Sequence, residues 1–322
     1  MKFIEILKLV QKDIDKVDYV MRKYMKSNIP LISKVSRYII NTQGKKIRPI
    51  IILLLAKIFQ YKGNEHIKLA ALVEFIHTAT LIHDDIIDHS SFRRGKETVN
   101  KIFGTSIGIL IGDLIYTKAF QIIYSIKSLK ILKLISDAAF NIVEGEILQI
   151  ENYKNLDITV QNYIKIVYKK TACLFEVCSQ SVKIFRKIDK KQNKNLKNYG
   201  KNLGIAFQII DDLSDYFSTK KVLGKQIGND FIEGKITLPL IHCIKNCNMK
   251  QFHTIKKSMQ NKKKNFLYEI TSIMKEHNSF EFTKNFAKKK VQLATKNLNF
   301  LPNSVYKKAL KSLGKYILDK NF

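Results

Sequence analysis

"FIHTATLIHDDIIDHSSFRRGK", residues 75 to 96, sets three aspartates at the end of a greasy stretch and follows them with two arginines. Its apolar residues recur at helical spacing, and the charge is held back to one end. On a helix Asp84 and Asp88 share a face, with Cβ atoms roughly 5 to 6 Å apart. Two ionised carboxylates at that distance repel by roughly 3 kcal/mol at an effective dielectric near 20. The helix C-terminus signalled by "HSS" disfavours negative charge further, so Asp84, Asp85 and Asp88 need cations. Taken alone, the cluster fits a metal site and a solvated acidic face equally well.

A second copy changes the balance. "GIAFQIIDDLSDYF", residues 204 to 217, places Asp211, Asp212 and Asp215 after another small, apolar helical stretch. Two aspartate triads at the ends of two apolar helices are expected to face each other across one site. Oxygen-only ligands favour Mg²⁺, which takes one or two carboxylates plus substrate phosphate and water, over zinc. His83 and His89 flank the first triad at a spacing that matches no zinc motif and are read as polar neighbours. Basic residues accompany the aspartates: Arg93 and Arg94, Lys45 and Arg48 in "GKKIRP", Lys170 and Thr171 in "YKKTA", Lys225 and Lys235 in "LGKQIGNDFIEGK". Arginine and lysine are natural holders of phosphate oxygens. In so lysine-rich a chain they carry weight only as a set.

The remaining sequence is helical by the same criterion. Only 4 prolines and 13 glycines punctuate 322 residues, and apolar periodicity predicts helices near 4–26, 32–42, 46–60, 65–88, 105–126, 129–151, 160–185 and 193–217, with several more from 235 onward. No strand pattern appears. The polar breaks are too short for linkers, so residues 1–322 are expected to form one all-α domain. Gly104, Gly108 and Gly112 recur every four residues, which predicts one small-residue helix face for close packing in a bundle or at a subunit interface. Apolar runs such as "PIIILLLAKIF" reach a lysine after about ten residues, short of the ~20 that a membrane span needs, and a cytoplasmic location is expected. Cys173, Cys178, Cys243 and Cys247 match no zinc-ligand spacing and read as reduced thiols. The net charge of +30 raises the question of nucleic acid. The lysines are scattered and no nucleic-acid-binding signature accompanies them, so no such partner is expected. Anionic substrates and lipid headgroups would still be attracted.

In their order along the chain, "GKKIRP", "FIHTATLIHDDIIDHSSFRRGK", "GDLIYTKAF", "YKKTA", "FQIIDDLSDY" and "LGKQIGNDFIEGKITLPL" resemble the trans-isoprenyl diphosphate synthases, and among them the long-chain, octaprenyl-type branch. The resemblance implies a homodimer of type I isoprenoid synthase helical bundles, each around a deep central cavity. It implies that an allylic diphosphate ionises and that isopentenyl diphosphate attacks the carbocation, with departing pyrophosphate removing the final proton. It assigns Mg²⁺ to Asp84, Asp88 and Asp211, helped by Asp85, Asp212 and Asp215. Arg93, Lys170, Thr171, Gln208, Lys225 and Lys235 would hold the allylic diphosphate, and Lys45, Arg48, His77 and Arg94 isopentenyl diphosphate. It further implies a long-chain product for a quinone side chain, released with peripheral membrane contact. Five residues before Asp84, roughly 7.5 Å deeper along a helix rising 1.5 Å per residue, stands Ala79, with small Thr80 beside it. Short-chain relatives block this depth with an aromatic ring, so the growing tail is expected to pass. Two departures concern the loop and the tail: Ile236 stands where relatives often have proline, and the ending "YILDKNF" is not arginine-rich.

Overall fold

The computed structural model describes residues 1–42, 44–217, 228–261 and 266–319. Two helices that are apolar on every side form its centre: α3 (Ile47–Ile58) and α4 (Glu65–Ile87). A helix without a polar face must be buried, and Leu53, Leu54, Leu69, Leu72 and Val73 are fully so. Amphipathic α1 (Phe3–Tyr24) covers them with Ile6, Val10, Ile14, Val17 and Met21, and α2 (Pro30–Asn41) follows it. The short α5 (Val99–Phe103) leads into α6 (Thr105–Ile126), which packs along α4. Next come α7 (Leu129–Glu151), α8 (Val160–Val167), α9 (Cys173–Gln180), α10 (Val182–Phe185) and α11 (Lys190–Asp215). The chain ends in α12 (Asn229–Glu233), α13 (Leu238–Asn246), α14 (Met249–Asn261), α15 (Phe266–Glu276), α16 (Ser279–Lys296) and α17 (Val305–Leu318). One contiguous apolar core runs from Ile6 to Ile317.

The all-α expectation holds, with three local corrections. A two-residue hairpin, β1 (Phe92–Arg93) and β2 (Lys96–Glu97), stands where no strand was expected. Its turn residues Arg94 and Gly95 both have positive φ, 54° and 75°, the type I′ geometry that matches strand twist. The helix expected over 160–185 is broken by a π-helical turn at Tyr168–Ala172. The third correction concerns Gly104, which lies off the expected helix face. It precedes α6 with φ 89° and no atom near its Cβ position. Gly108 and Gly112 do permit close packing, since a Cβ there would meet Ile86 and His83 of α4. Thr105–Ile126 is also long and apolar enough to cross a membrane by length and composition, which the short-run argument overlooked.

Candidate active site

The first triad sits where α4 ends, and the way it ends places the hairpin. His89 adopts a left-handed conformation, its N–H donates to Ile86 O (3.1 Å), and Ser90 N–H donates to Asp85 O (2.8 Å). This is a Schellman close. Thr98 Oγ1 donates to Ser90 O at 2.7 Å and ties down the far end of the hairpin. The reversal brings Arg93 back over the helix. Its Nε donates to both oxygens of Asp85 at 2.8 and 2.9 Å, and its Nη2 lies 2.7 Å from Oδ1. Burial alone would weaken the guanidinium's hold on its proton, but Asp85, Asp84 and Asp211 outweigh it and raise the pKa.

Lys235 joins this helix end to the segment after α11. Its ammonium lies 2.8 Å from Asp88 Oδ1 and 2.7 Å from Glu233 Oε2. Burial again opposes the charge, while Asp230, Asp88 and Glu233 raise its pKa. The two triads therefore meet: Arg93 feels Asp84, Asp85 and Asp211, and Lys235 bridges from Asp88 toward Asp230. Within the second triad Asp211 is exposed, Asp215 accepts from Asp230 N–H (3.0 Å), and Asp212 is buried. Burial, and then the nearby Asp230, push the Asp212 carboxyl up to about 7.

The π-turn explains how Lys170 and Thr171 enter the site. A Cβ on Gly145 of α7 would lie 2.7 Å from Lys170 N, so only a glycine lets the two backbones pack so tightly. The turn carries Lys170 Nζ to within 2.8 Å of both Glu146 Oε1 and Gln149 Oε1, and lets Thr171 Oγ1 donate to Gln208 Oε1 at 2.7 Å. π-turns inside α-helices recur at functional sites. Lys170, Thr171, Gln208, Asp212, Asp230 and Lys235 line one cavity. Ile236 also lines it, and is buried.

A second cavity borders the hairpin and is lined by Glu74, His77, Asp85, Arg93 and Arg94. Arg93, grouped by resemblance with the Lys170 set, thus faces His77 and Arg94 and is taken up by Asp85. His77 is held well below its ordinary pKa, first by desolvation and then by Arg48, Arg94 and Arg93. Buried Arg48 stacks over Phe175 (4.6 Å) and Phe207 (5.8 Å) with its Nε unpartnered. The Arg94 guanidinium lies where a Cβ on Gly44 would be. Lys45 is drawn aside, its ammonium 4.9 Å from the Tyr316 ring centre. Ala79 is fully buried, and Thr80 Oγ1 donates to His77 O (2.8 Å); neither lines either cavity. Lys225 lies outside the described residues.

Sequence reasoning missed Glu74, Glu146, Gln149, Tyr163, Asp230 and Glu233. Asp230 and Glu233 stand inside a quoted motif, where only the lysines were taken. Glu146 and Gln149 share a helix face beside Gly145, a weak signal. Among the described residues no three acidic, His or Cys side chains close around a point that could hold an ion alone. Mg²⁺ characteristically completes a few carboxylates with phosphate and water. Asp84, half-buried and with no hydrogen bond or ion pair to its carboxylate among the described residues, together with exposed Asp211, fits an ion that arrives with a diphosphate.

The polyprenyl synthetase family model matches residues 29–277. The octaprenyl diphosphate synthase of Haemophilus influenzae is 41% identical over 323 residues, covering 100% of this chain and 98% of that one. The Escherichia coli octaprenyl diphosphate synthase is 40% identical, covering 97% of each chain. Among solved structures, a Rhodobacter capsulatus decaprenyl diphosphate synthase superposes with a TM-score of 0.93 at 32% identity and 98% coverage of both chains. A Caulobacter crescentus polyprenyl synthase complexed with calcium and isoprenyl diphosphate reaches 0.95 at 30% identity, covering 100% of this chain and 98% of that one. The family model over residues 29–277 and the full-length relatives, together with two aspartate triads whose charges both act on Arg93, show that the chain belongs to the polyprenyl synthetase family.

Proposed function

We propose that the protein condenses isopentenyl diphosphate with an allylic diphosphate, farnesyl or geranylgeranyl, repeating the step to a long all-trans polyprenyl diphosphate of octaprenyl length. The observation that carries this is Lys235 bridging Asp88 to Glu233, in the segment whose Asp230 N–H bonds Asp215, which ties the first aspartate motif to the second. The cavity of Lys170, Thr171, Gln208 and Lys235 takes the allylic diphosphate, with Lys225 assigned by the motif alone. Asp84, Asp88 and Asp211 would hold Mg²⁺, which when bound neutralises charge developing on the departing diphosphate. Asp85, already paired with Arg93, and Asp215, bonded to Asp230 N–H, brace the ends of the two helices.

The second cavity takes isopentenyl diphosphate. Arg48 and Arg94 supply charge there, joined by Lys45 when it leaves Tyr316. His77, kept neutral, donates one hydrogen bond without adding a cation. Apolar Ile158, Ile166 and Val167 line the first cavity and exclude water that would quench an allylic cation. The tail then grows past Ala79 and Thr80. Support for the long product is the octaprenyl relatives and the small side chain at Ala79.

A second copy of the chain covers the apolar face of α6 and α7, where Leu110, Phe120, Tyr124 and Phe140 are 62 to 82% exposed. This homodimer also accounts for the apolar length of α6, and sedimentation that returns a single-chain mass would exclude it. The protein works in the cytoplasm, its +30 charge favouring brief contact with anionic lipid when a quinone side-chain precursor is released. Purified protein given Mg²⁺, farnesyl diphosphate and labelled isopentenyl diphosphate should yield one long product on reversed-phase chromatography. A product that stops at geranylgeranyl diphosphate would refute the octaprenyl assignment.

A further inference from the structure

Asp212 has both carboxylate oxygens engaged inside the protein. Tyr163 on α8 donates its hydroxyl to Oδ2 at 2.5 Å, and Gln208 Nε2 donates to Oδ1 at 2.7 Å. Gln208 in turn accepts from Thr171 Oγ1 at 2.7 Å. Tyr163 is 4% exposed and Asp212 7%, so neither group finds compensating solvent, and a buried hydrogen bond to a carboxylate is among the stronger ones. The chain of contacts joins α8, α11 and the π-turn, and its next residue, Lys170, is held by Glu146 of α7. Tyr163, Lys170, Thr171, Gln208 and Asp212 all line the first cavity.

A helix presents consecutive residues about 100° apart, so fixing Asp212 inward fixes where Asp211 points. We propose that Tyr163 is a positioning residue for the metal-diphosphate step: it locks Asp212 inward, turns Asp211 toward the bound diphosphate, and through Gln208 sets Thr171. This rests on the prenyltransferase reading of the site. Asp212 is accordingly an anchor, with Asp211 the ligand. A tyrosine that merely filled the core would affect stability without distinguishing the two diphosphate cavities.

Calorimetric titration of the full-length protein with inorganic pyrophosphate in Mg²⁺ separates these roles. Tyr163→Phe should weaken pyrophosphate binding about tenfold or more, the fold-change of one lost hydrogen bond to a charged group. The Mg²⁺ concentration for half-maximal activity should rise in parallel, and KM for isopentenyl diphosphate should stay within about twofold. Asp212→Asn, which keeps the side-chain shape, should show the same split. The double variant should lose little more than either single change, because both act through one bond. Unchanged pyrophosphate binding in Tyr163→Phe, or equal weakening of both diphosphates, would overturn the proposal. Should Tyr163→Phe not fold, Asp212→Asn with undiminished pyrophosphate binding overturns it equally. A parent protein that binds Mg-pyrophosphate yet makes no prenyl product refutes the underlying reading instead, leaving the binding comparison intact.

Discussion

The two cavities use the same residue types with different charge balance. Around the first, cations are matched: Lys170 with Glu146, and Lys235 with Asp88 and Glu233. Around the second, Arg93 is matched with Asp85, while Arg94 and the neighbouring Arg48 form no ion pair among the described residues. Arg48 has aromatic faces and the field of Glu74, and burial lowers its pKa. Glu74 is itself pushed up by burial. A matched site must exchange partners to admit a diphosphate, and metal ions can compensate the released carboxylates. A site with two unpaired guanidiniums, Arg94 and nearby Arg48, admits the anion directly. The difference predicts metal-dependent binding at the first cavity and metal-independent binding at the second.

Removing a ligand breaks the comparison hardest. Asp84→Ala should lower kcat by about a hundred- to thousandfold, the cost of deleting one charge-stabilising contact at a reacting centre. Because the Asp84 carboxylate makes no hydrogen bond or ion pair among the described residues, the variant's melting temperature should barely move. Steady-state turnover beside a thermal melt reads both quantities, and a retained kcat would remove Asp84 from the metal set.

Applying one substitution to both cavities sharpens the contrast. Lys235→Met strands Asp88 and Glu233, and breaking a buried pair costs about 3 to 5 kcal/mol. Arg48→Met strands no ion-pair partner and keeps contact with Phe175 and Phe207 through its thioether, so stability should stay within about 1 kcal/mol. Arg48→Met should instead raise KM for isopentenyl diphosphate about ten- to hundredfold, as loss of a charged phosphate contact does. Denaturant midpoints for the two variants test the sign. Equal destabilisation would show that Arg48 is matched after all.

A third change probes depth. Ala79→Phe inserts a ring at a fully buried position, and such overpacking costs about 1 to 3 kcal/mol. The product ladder should shorten while condensation on the first primer continues. An unchanged ladder would place the tunnel elsewhere.

How much of this was legible follows from sequence distance. The triads and their order were readable because i and i+4 residues on one helix announce themselves. Lys235 against Asp88, or Tyr163 against Asp212, joins helices far apart in the chain, and no local period encodes such pairs. The π-turn escaped because apolar spacing from 160 to 185 is nearly continuous, while the strain signal is Gly145, on a different helix. Gly104 was misplaced because a glycine starting a helix keeps the same numerical spacing as two packed inside it. Membership of Arg93 in one diphosphate group depended on a two-residue turn that reverses the chain at Arg94 and Gly95. Motifs thus announced which residues gather, and packing decided how they pair.

The smallest effect is the most specific to the second cavity. His77 is held neutral by desolvation and by Arg48, Arg94 and Arg93, so its folded pKa lies below the unfolded value of about 6.5. The unfolded chain then binds more protons as the medium acidifies, and stability falls with decreasing pH. The contribution is whole above about pH 6.5 and is lost progressively below it, toward the folded pKa, at about 1.4 kcal/mol per unit of separation. Asp212, raised to about 7 by burial and Asp230, has the opposite sign: its contribution is whole at low pH and is lost as pH rises toward 7. A raw stability profile therefore mixes the two, whereas the difference between parent and His77→Gln isolates the imidazole. That difference should grow as pH drops from about 6.5 and shrink when isopentenyl diphosphate is present, because bound phosphate charge lifts the imidazole pKa. A flat difference curve would mean that neither burial nor the three arginines hold His77 neutral, and the direct anion binding proposed for this cavity would lose its electrostatic basis.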